Sequence, residues 1–263
     1  MRDPLNGPAL FSPSFIDALR AYAPELLAPP VLVGPLTEVP HATTVAALRY
    51  ADGVVIGGDR RATEGMSIAQ RDIGKVFPAD DYSAVAIAGV AGPAIEMVRL
   101  FQTELEHYEK VEGLTLSLEG KANKLGQMVR TNLPMAMQGL VVVPLFCGYD
   151  QRKEIGRIFR YDVTGGRYED ADFHANGSGG KDARGSLKKR YRHDMDRAAA
   201  ADVLMEALYD AADEDAGTGG PDLIRGIFPV VATVSAQGYE RLPDDDLRAS
   251  AERIVAARAR GEG

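Results

Sequence analysis

His41-Ala42-Thr43-Thr44-Val45-Ala46-Ala47-Leu48-Arg49-Tyr50 runs into Ala51-Asp52-Gly53 and then Val54-Val55-Ile56-Gly57-Gly58-Asp59. Two apolar, partly β-branched runs on either side of an Asp-Gly pair predict a β-hairpin, because Asp-Gly suits a tight turn between paired strands. The hairpin begins abruptly. Before it, residues 1–42 carry Pro4, Pro8, Pro13, Pro24, Pro29, Pro30, Pro35 and Pro40, more than half of the chain's 15 prolines. Proline fixes φ and donates no backbone hydrogen bond, so this stretch is neither mainly sheet nor long helix. Within it, residues 14–21 can form a short amphipathic helix, with Ser14 as cap and Phe15 and Leu19 on one side. The chain reads as a leader, 1–42, in front of one folded domain, 43–263.

Outward from the hairpin, further strands are expected at 75–77 and 83–88. Ile95, Val98, Phe101, Leu105 and Tyr108 then recur at helical spacing, the pattern of a helix laid on a sheet. A second helix is expected over 117–138, kinked at Pro134. Strands return at 140–148, 157–163 and 168–173, with a turn at Thr164-Gly165-Gly166. Helices at 186–191 and 197–213 precede a last strand at 227–234 and a terminal helix opened by Asp244, Asp245 and Asp246, whose carboxylates suit a helix N-terminus. Strands, two helices, strands, two helices and a strand describe two packed sheets with helices outside, an α+β arrangement rather than alternating βαβ units.

Composition narrows the function. At 263 residues, 45% hydrophobic and 26% charged, the chain is that of an ordinary globular protein. A net charge of -8 argues against a nucleic-acid surface, which needs clustered cations. Only Lys188, Lys189, Arg190 and Arg192 cluster, and they read as a solvated face or subunit contact. Cys147 is the single cysteine, so no intrachain disulfide can form, and its apolar neighbours make it a buried small hydrophobe. Residues 1–42 lack the pattern of a secretory signal, and no apolar run approaches the ~20 residues of a membrane span. A cytoplasmic protein, off the membrane, is expected. His41, His107, His174 and His193 show no metal-ligand spacing, so no metal is implied. Residues 177–181 lack the spacing of a phosphate loop, and no Gly-x-Ser-x-Gly elbow appears.

The junction at Ala42-Thr43 carries the chemistry. A threonine hydroxyl is a poor nucleophile unless a base takes its proton, and a free amine on the same residue can be that base. Cleavage before Thr43 would create it. On this feature alone, Thr43 and Thr44 are equally well read as β-branched residues opening a strand.

Across residues 38–235 the chain resembles the actinobacterial 20S proteasome β-subunits. The motifs that carry the resemblance are 41–45; Gly57-Gly58-Asp59-Arg60-Arg61-Ala62-Thr63; Asp72-Ile73-Gly74-Lys75-Val76; Ile87-Ala88-Gly89; Leu105-Glu106-His107-Tyr108-Glu109-Lys110; 206–213; and Gly219-Gly220-Pro221-Asp222 with Arg225-Gly226-Ile227. The resemblance implies a four-layer αββα sandwich of the N-terminal-nucleophile hydrolase type and a threonine endopeptidase that degrades unfolded proteins. It implies removal of the leader between Ala42 and Thr43. Thr43 would be the nucleophile, Asp59 and Lys75 its inner partners, Gly89 the oxyanion donor, and Ser178, Asp215 and Thr218 a supporting group. Ala62, Thr63, Ile73, Phe77, Ile87, Ala91 and Ile95 match the substrate pocket and imply cleavage after apolar residues. No cofactor is needed. The implied partners are α-subunits and further β-subunits in a particle of four seven-membered rings, and a ring ATPase that feeds it. Two departures stand out: Ala42 where glycine is usual, and Gly180-Lys181-Asp182-Ala183 after Gly177-Ser178-Gly179. A simpler bacterial proteasome-like peptidase and a non-catalytic ring subunit are the alternatives.

Overall fold

The computed structural model describes residues 43–65 and 67–261; the expected leader and its helix at 14–21 lie outside the described residues. β1 (Thr44–Tyr50) and β2 (Gly53–Gly58) form the expected hairpin, with Tyr50 opposite Gly53. Gly53 serves packing rather than the turn. Its φ is not positive, but a Cβ there would lie 2.2 Å from the Val234 carbonyl.

The chain continues through β3 (Ala62–Glu64), β4 (Ser67–Gln70), β5 (Val76–Asp80) and β6 (Ser83–Gly89) to helix α1 (Ala91–Glu112). Next come α2 (Leu118–Thr131), a short α3 (Leu133–Ala136), and strands β7 (Val142–Asp150), β8 (Ile155–Tyr161), β9 (Arg167–Asp170) and β10 (Phe173–Gly177). Helices α4 (Gly180–Arg190) and α5 (Arg197–Glu214), strands β11 (Val230–Ser235) and β12 (Gly238–Arg241), and helix α6 (Asp244–Ala259) finish the domain.

Two antiparallel five-stranded sheets result, ordered β10-β1-β2-β11-β12 and β5-β6-β7-β8-β9. Strand alternation sorts their side chains. Val45, Ala47, Val54, Ile56 and Val230 of the first sheet meet Ala84, Ala86, Leu145, Cys147 and Ile158 of the second in the middle layer. Ala46, Leu48, Val55 and Val231 point the other way, onto Leu187 of α4, Leu204 and Leu208 of α5, and Ile254 of α6. Val85, Ile87, Phe146 and Phe159 face Phe101 and Leu105 of α1 and Leu125 of α2. The order is helix, sheet, sheet, helix: the expected αββα sandwich.

Several local expectations are corrected. The single strand at 168–173 is two strands: β9 pairs with β8 in one sheet, and after a bend at Ala171-Asp172, β10 crosses to pair with β1 in the other. The helix expected over 117–138 stops at Thr131, before Asn132 and the Leu133-Pro134 pair that opens α3. Helix α4 begins at Gly180, not at 186, because Ala183 and Leu187 bury a common face against the first sheet and outweigh the poor helix propensity of Gly180 and Gly185. The ribbon β3–β4 and the edge strand β12 carry too short an alternation to be read from sequence. Cys147 is fully buried, as expected, and burial holds its thiol far above its usual range. No helix among the described residues is long and apolar enough to cross a membrane.

Candidate active site

One end of the sandwich, where β1 begins and β6 ends, gathers the residues singled out by sequence. Thr43 is 5% exposed, and its carbonyl accepts the Ser178 amide at 2.9 Å. The ladder that pairs Thr44 with Gly177 delivers that amide. Position 177 demands glycine: its φ is +100°, and a Cβ would fall 1.7 Å from the Thr43 carbonyl oxygen.

Asp59 leaves β2 fully buried. Its Oδ1 accepts Lys75 Nζ at 2.6 Å and the Thr44 amide at 2.8 Å, while Oδ2 accepts the amides of Arg61 and Gly219, each at 2.9 Å. Four donors thus satisfy the two oxygens of this buried side chain. Lys75, just before β5 and also buried, donates a second hydrogen bond to the Arg61 carbonyl at 2.6 Å. Burial pushes the Lys75 pKa down, and Asp59 works against that shift.

Thr43, Lys75 and Gly89 line one cleft, together with Ala62, Ile73, Ile87, Ala91 and Ile95. Gly74 and Ala94 join them. Gly89 closes β6 with φ +116°, where a Cβ would come 2.1 Å from the Val141 carbonyl, so no other residue fits without moving β7. Phe77 packs instead on the helix side of the second sheet, and Thr63 stands on the β3–β4 ribbon opposite Ile68.

A second group lies behind Thr43. Asp215 caps the end of α5, and its Oδ2 accepts Ser178 Oγ–H at 2.5 Å and Thr218 Oγ1–H at 2.6 Å, while the Gly217 amide reaches Oδ1 at 3.2 Å. Partial burial raises the Asp215 pKa, but the Ser178, Thr218 and Gly217 donors and the Lys75 charge outweigh it, so the carboxyl titrates below its usual range. The unusual Gly180-Lys181-Asp182-Ala183 sequence forms the first turn of α4 and leaves Ser178 within reach of Asp215. Among the described residues, no group of His, Cys, Asp and Glu side chains could hold a metal ion.

Residues 39–223 match the family model described as proteasome subunit. A proteasome subunit beta of Acidimicrobium ferrooxidans is 62% identical over 85% of this chain and 82% of its own. Those of Acidothermus cellulolyticus and Frankia casuarinae are 57% and 52% identical, covering 95% and 100% of this chain and 89% and 100% of their own. The chain belongs to the proteasome β-subunit family. It is accordingly a threonine peptidase, the catalytic type of subunit in the 20S core. Within this β-subunit, sequence reading passed over four residues that hold the site together. The Thr44 hydroxyl sits 2.7 Å from Thr218 Oγ1 and accepts the Gly179 amide at 2.9 Å. Arg61 supplies its carbonyl to Lys75 and extends its guanidinium to the Ala216 carbonyl at 3.0 Å. Gly219 supports Asp59. The only sequence signal for these was their place inside quoted motifs, since each acts largely through the backbone or a hydroxyl that looks generic in sequence.

Proposed function

We propose that Thr43, freed from the leader by cleavage of the Ala42–Thr43 bond, is the nucleophile of this peptidase. Its Oγ attacks the carbonyl carbon of a peptide bond while the Thr43 amine takes the hydroxyl proton and passes it to the leaving amine. The oxyanion is met by the Gly89 N–H, at a position held to glycine by the nearby Val141 carbonyl. Water, activated by the same amine, then hydrolyses the ester and restores the hydroxyl. Lys75 keeps the neighbouring amine neutral by charge repulsion, Asp59 holds Lys75, and Ser178, Asp215 and Thr218 orient the amine. Ala62, Ile73, Ile87, Ala91 and Ile95 present an apolar wall to the residue before the scissile bond, which favours apolar side chains there; Thr63 and Phe77 stand outside that lining. The observation that carries this reading is the convergence of Thr43, Lys75 and Gly89 on one cleft, with Lys75 held by the buried Asp59.

The β-subunit works with α-subunits in the 20S core, and a ring ATPase that unfolds substrates in the cytoplasm completes the reading. Co-expression with the α-partner, followed by intact mass and hydrolysis of a fluorogenic peptide with an apolar residue before the scissile bond, tests the site. Loss of residues 1–42 and peptide hydrolysis are expected in the parent. Thr43→Ala should assemble but cut nothing, and an active Thr43→Ala particle would sink the assignment.

A further inference from the structure

Thr44 touches three separate segments of the site. Its amide donates to Asp59, its carbonyl accepts the Asp59 amide at 3.0 Å, and its hydroxyl lies between the Gly179 amide and Thr218 Oγ1. The hydroxyl is fully buried, on the helix side of β1, away from the cleft lined by Thr43.

The direction of each hydrogen bond follows from chemistry. Asp215 is a carboxylate at neutral pH and can only accept, so Thr218 and Ser178 each spend their single hydroxyl proton on its Oδ2. Thr218 Oγ1 has no second proton, so in the contact with Thr44 it must be the acceptor and Thr44 the donor. Thr44 Oγ1 in turn accepts the Gly179 amide. A one-way chain runs from Gly179 N–H through Thr44 O–H and Thr218 O–H to Asp215. Such aligned bonds strengthen one another in a low-dielectric interior. The shape of the site guards the chain as well: a Cβ at Gly179 would lie 2.8 Å from both threonine hydroxyl oxygens, although the backbone at 179, with φ -84°, would accept any residue.

We infer that Thr44 is a positioning residue, whose hydroxyl heads a directed hydrogen-bond chain that fixes Thr218, Asp215 and Ser178 for the reaction at Thr43. This deepens the Thr43 assignment and rests on it. Ser178 is thereby held with its proton on Asp215, next to the strand end that carries Thr43.

Two substitutions separate hydrogen bonding from packing. Thr44→Val keeps the volume and β-branching of the strand but has no hydroxyl; Thr44→Ser keeps the hydroxyl and loses the methyl. A packing role ranks the valine variant above the serine one, and the directed chain ranks them the other way. In assembled, processed particles, with kcat counted per site titrated by a covalent inhibitor, Thr44→Ser should stay within about threefold of the parent. Thr44→Val should fall about tenfold, the scale of one hydrogen bond to a charged network, with KM within about twofold because the hydroxyl faces away from the cleft. Gly179→Ala, which crowds the hydroxyl pair while leaving β1 untouched, should lower kcat in the same way and covers the case in which Thr44→Val does not assemble. A valine variant as active as the serine one, or a Gly179→Ala particle with parental kcat, overturns the inference. Hydrolysis surviving in Thr43→Ala would instead overturn the assignment of the nucleophile.

Discussion

Asp215 is the residue whose charge is most open to measurement. Its carboxyl carries donors from Ser178, Thr218 and Gly217, and these, with Lys75, hold its pKa below the usual value against the opposing effect of burial. A folded-state pKa lower than the unfolded one contributes stability that is present above the unfolded value, near 3.9, and is lost as pH falls through the folded one. Asp215→Asn removes that contribution at every pH. The parent should therefore melt above Asp215→Asn at neutral pH, and the gap should narrow as pH is lowered through the carboxylate range. Thermal melts at a series of pH values check this, and a gap that stays constant would mean that the Asp215 charge adds nothing to the fold. Residue chemistry of this kind was legible in part. Thr43 stands out at the leader junction, and Asp59 and Lys75 only through the contiguous motifs that carry the family resemblance. Thr44 and Gly219 do not, because an amide aimed at Asp59 or a hydroxyl aimed at Thr218 leaves no mark on the choice of side chain that a strand threonine or a loop glycine would not also leave.

At the scale of elements, α5 shows how structure and chemistry can be separated. Asp196 caps its first turn by accepting the Ala199 amide at 2.8 Å, and the Asp215 cap at its other end joins the site. The two caps are separated by 18 helical residues, roughly 27 Å of rise. Asp196→Ala should cost about 1 kcal/mol of stability, since one helix-end amide loses its acceptor. It should leave kcat per titrated site unchanged, and a kcat loss larger than about twofold would show that the helix transmits its fraying to Asp215. Elements with a long apolar period, such as α1, α5 and the β1–β2 hairpin, were readable because one local pattern specifies them. The division of residues 168–173 between β9 and β10 was not, because Tyr168 to Phe173 holds no glycine or proline at the bend and β1, the strand that draws β10 into the other sheet, is distant in sequence. The leftward start of α4 was hidden for the same reason: Gly180 and Gly185 oppose helix locally, and only contact with the first sheet reverses the balance.

At the scale of the whole molecule, the site straddles the two sheets: Thr43 and Asp59 belong to the first, while Lys75 and Gly89 bracket β5 and β6 of the second. Their spacing is therefore set by how the sheets stack along their full length. At the far end of the β1–β2 hairpin from Thr43, Gly156 of β8 lies against Gly53 of β2, so closely that a Cβ at 156 would fall 2.4 Å from the Gly53 carbonyl carbon and oxygen. Both atoms are backbone in the middle of a sheet and cannot step aside as a side-chain tip could. Gly156→Ala must then wedge the sheets apart at that end, at a cost of about 1–3 kcal/mol, the usual penalty for overpacking an interior. Because the sheets are stiff hydrogen-bonded plates, the wedge also tilts Thr43 relative to Gly89. Gly156→Ala should thus lower both the melting temperature and kcat, whereas Asp196→Ala lowers only the first. Calorimetry and titrated kcat on assembled particles read the two effects separately. A Gly156→Ala particle that melts early yet turns over at the parental rate would show that the cleft is held by its own hydrogen bonds, Asp59 to Lys75 above all, and not by the stacking of the sheets.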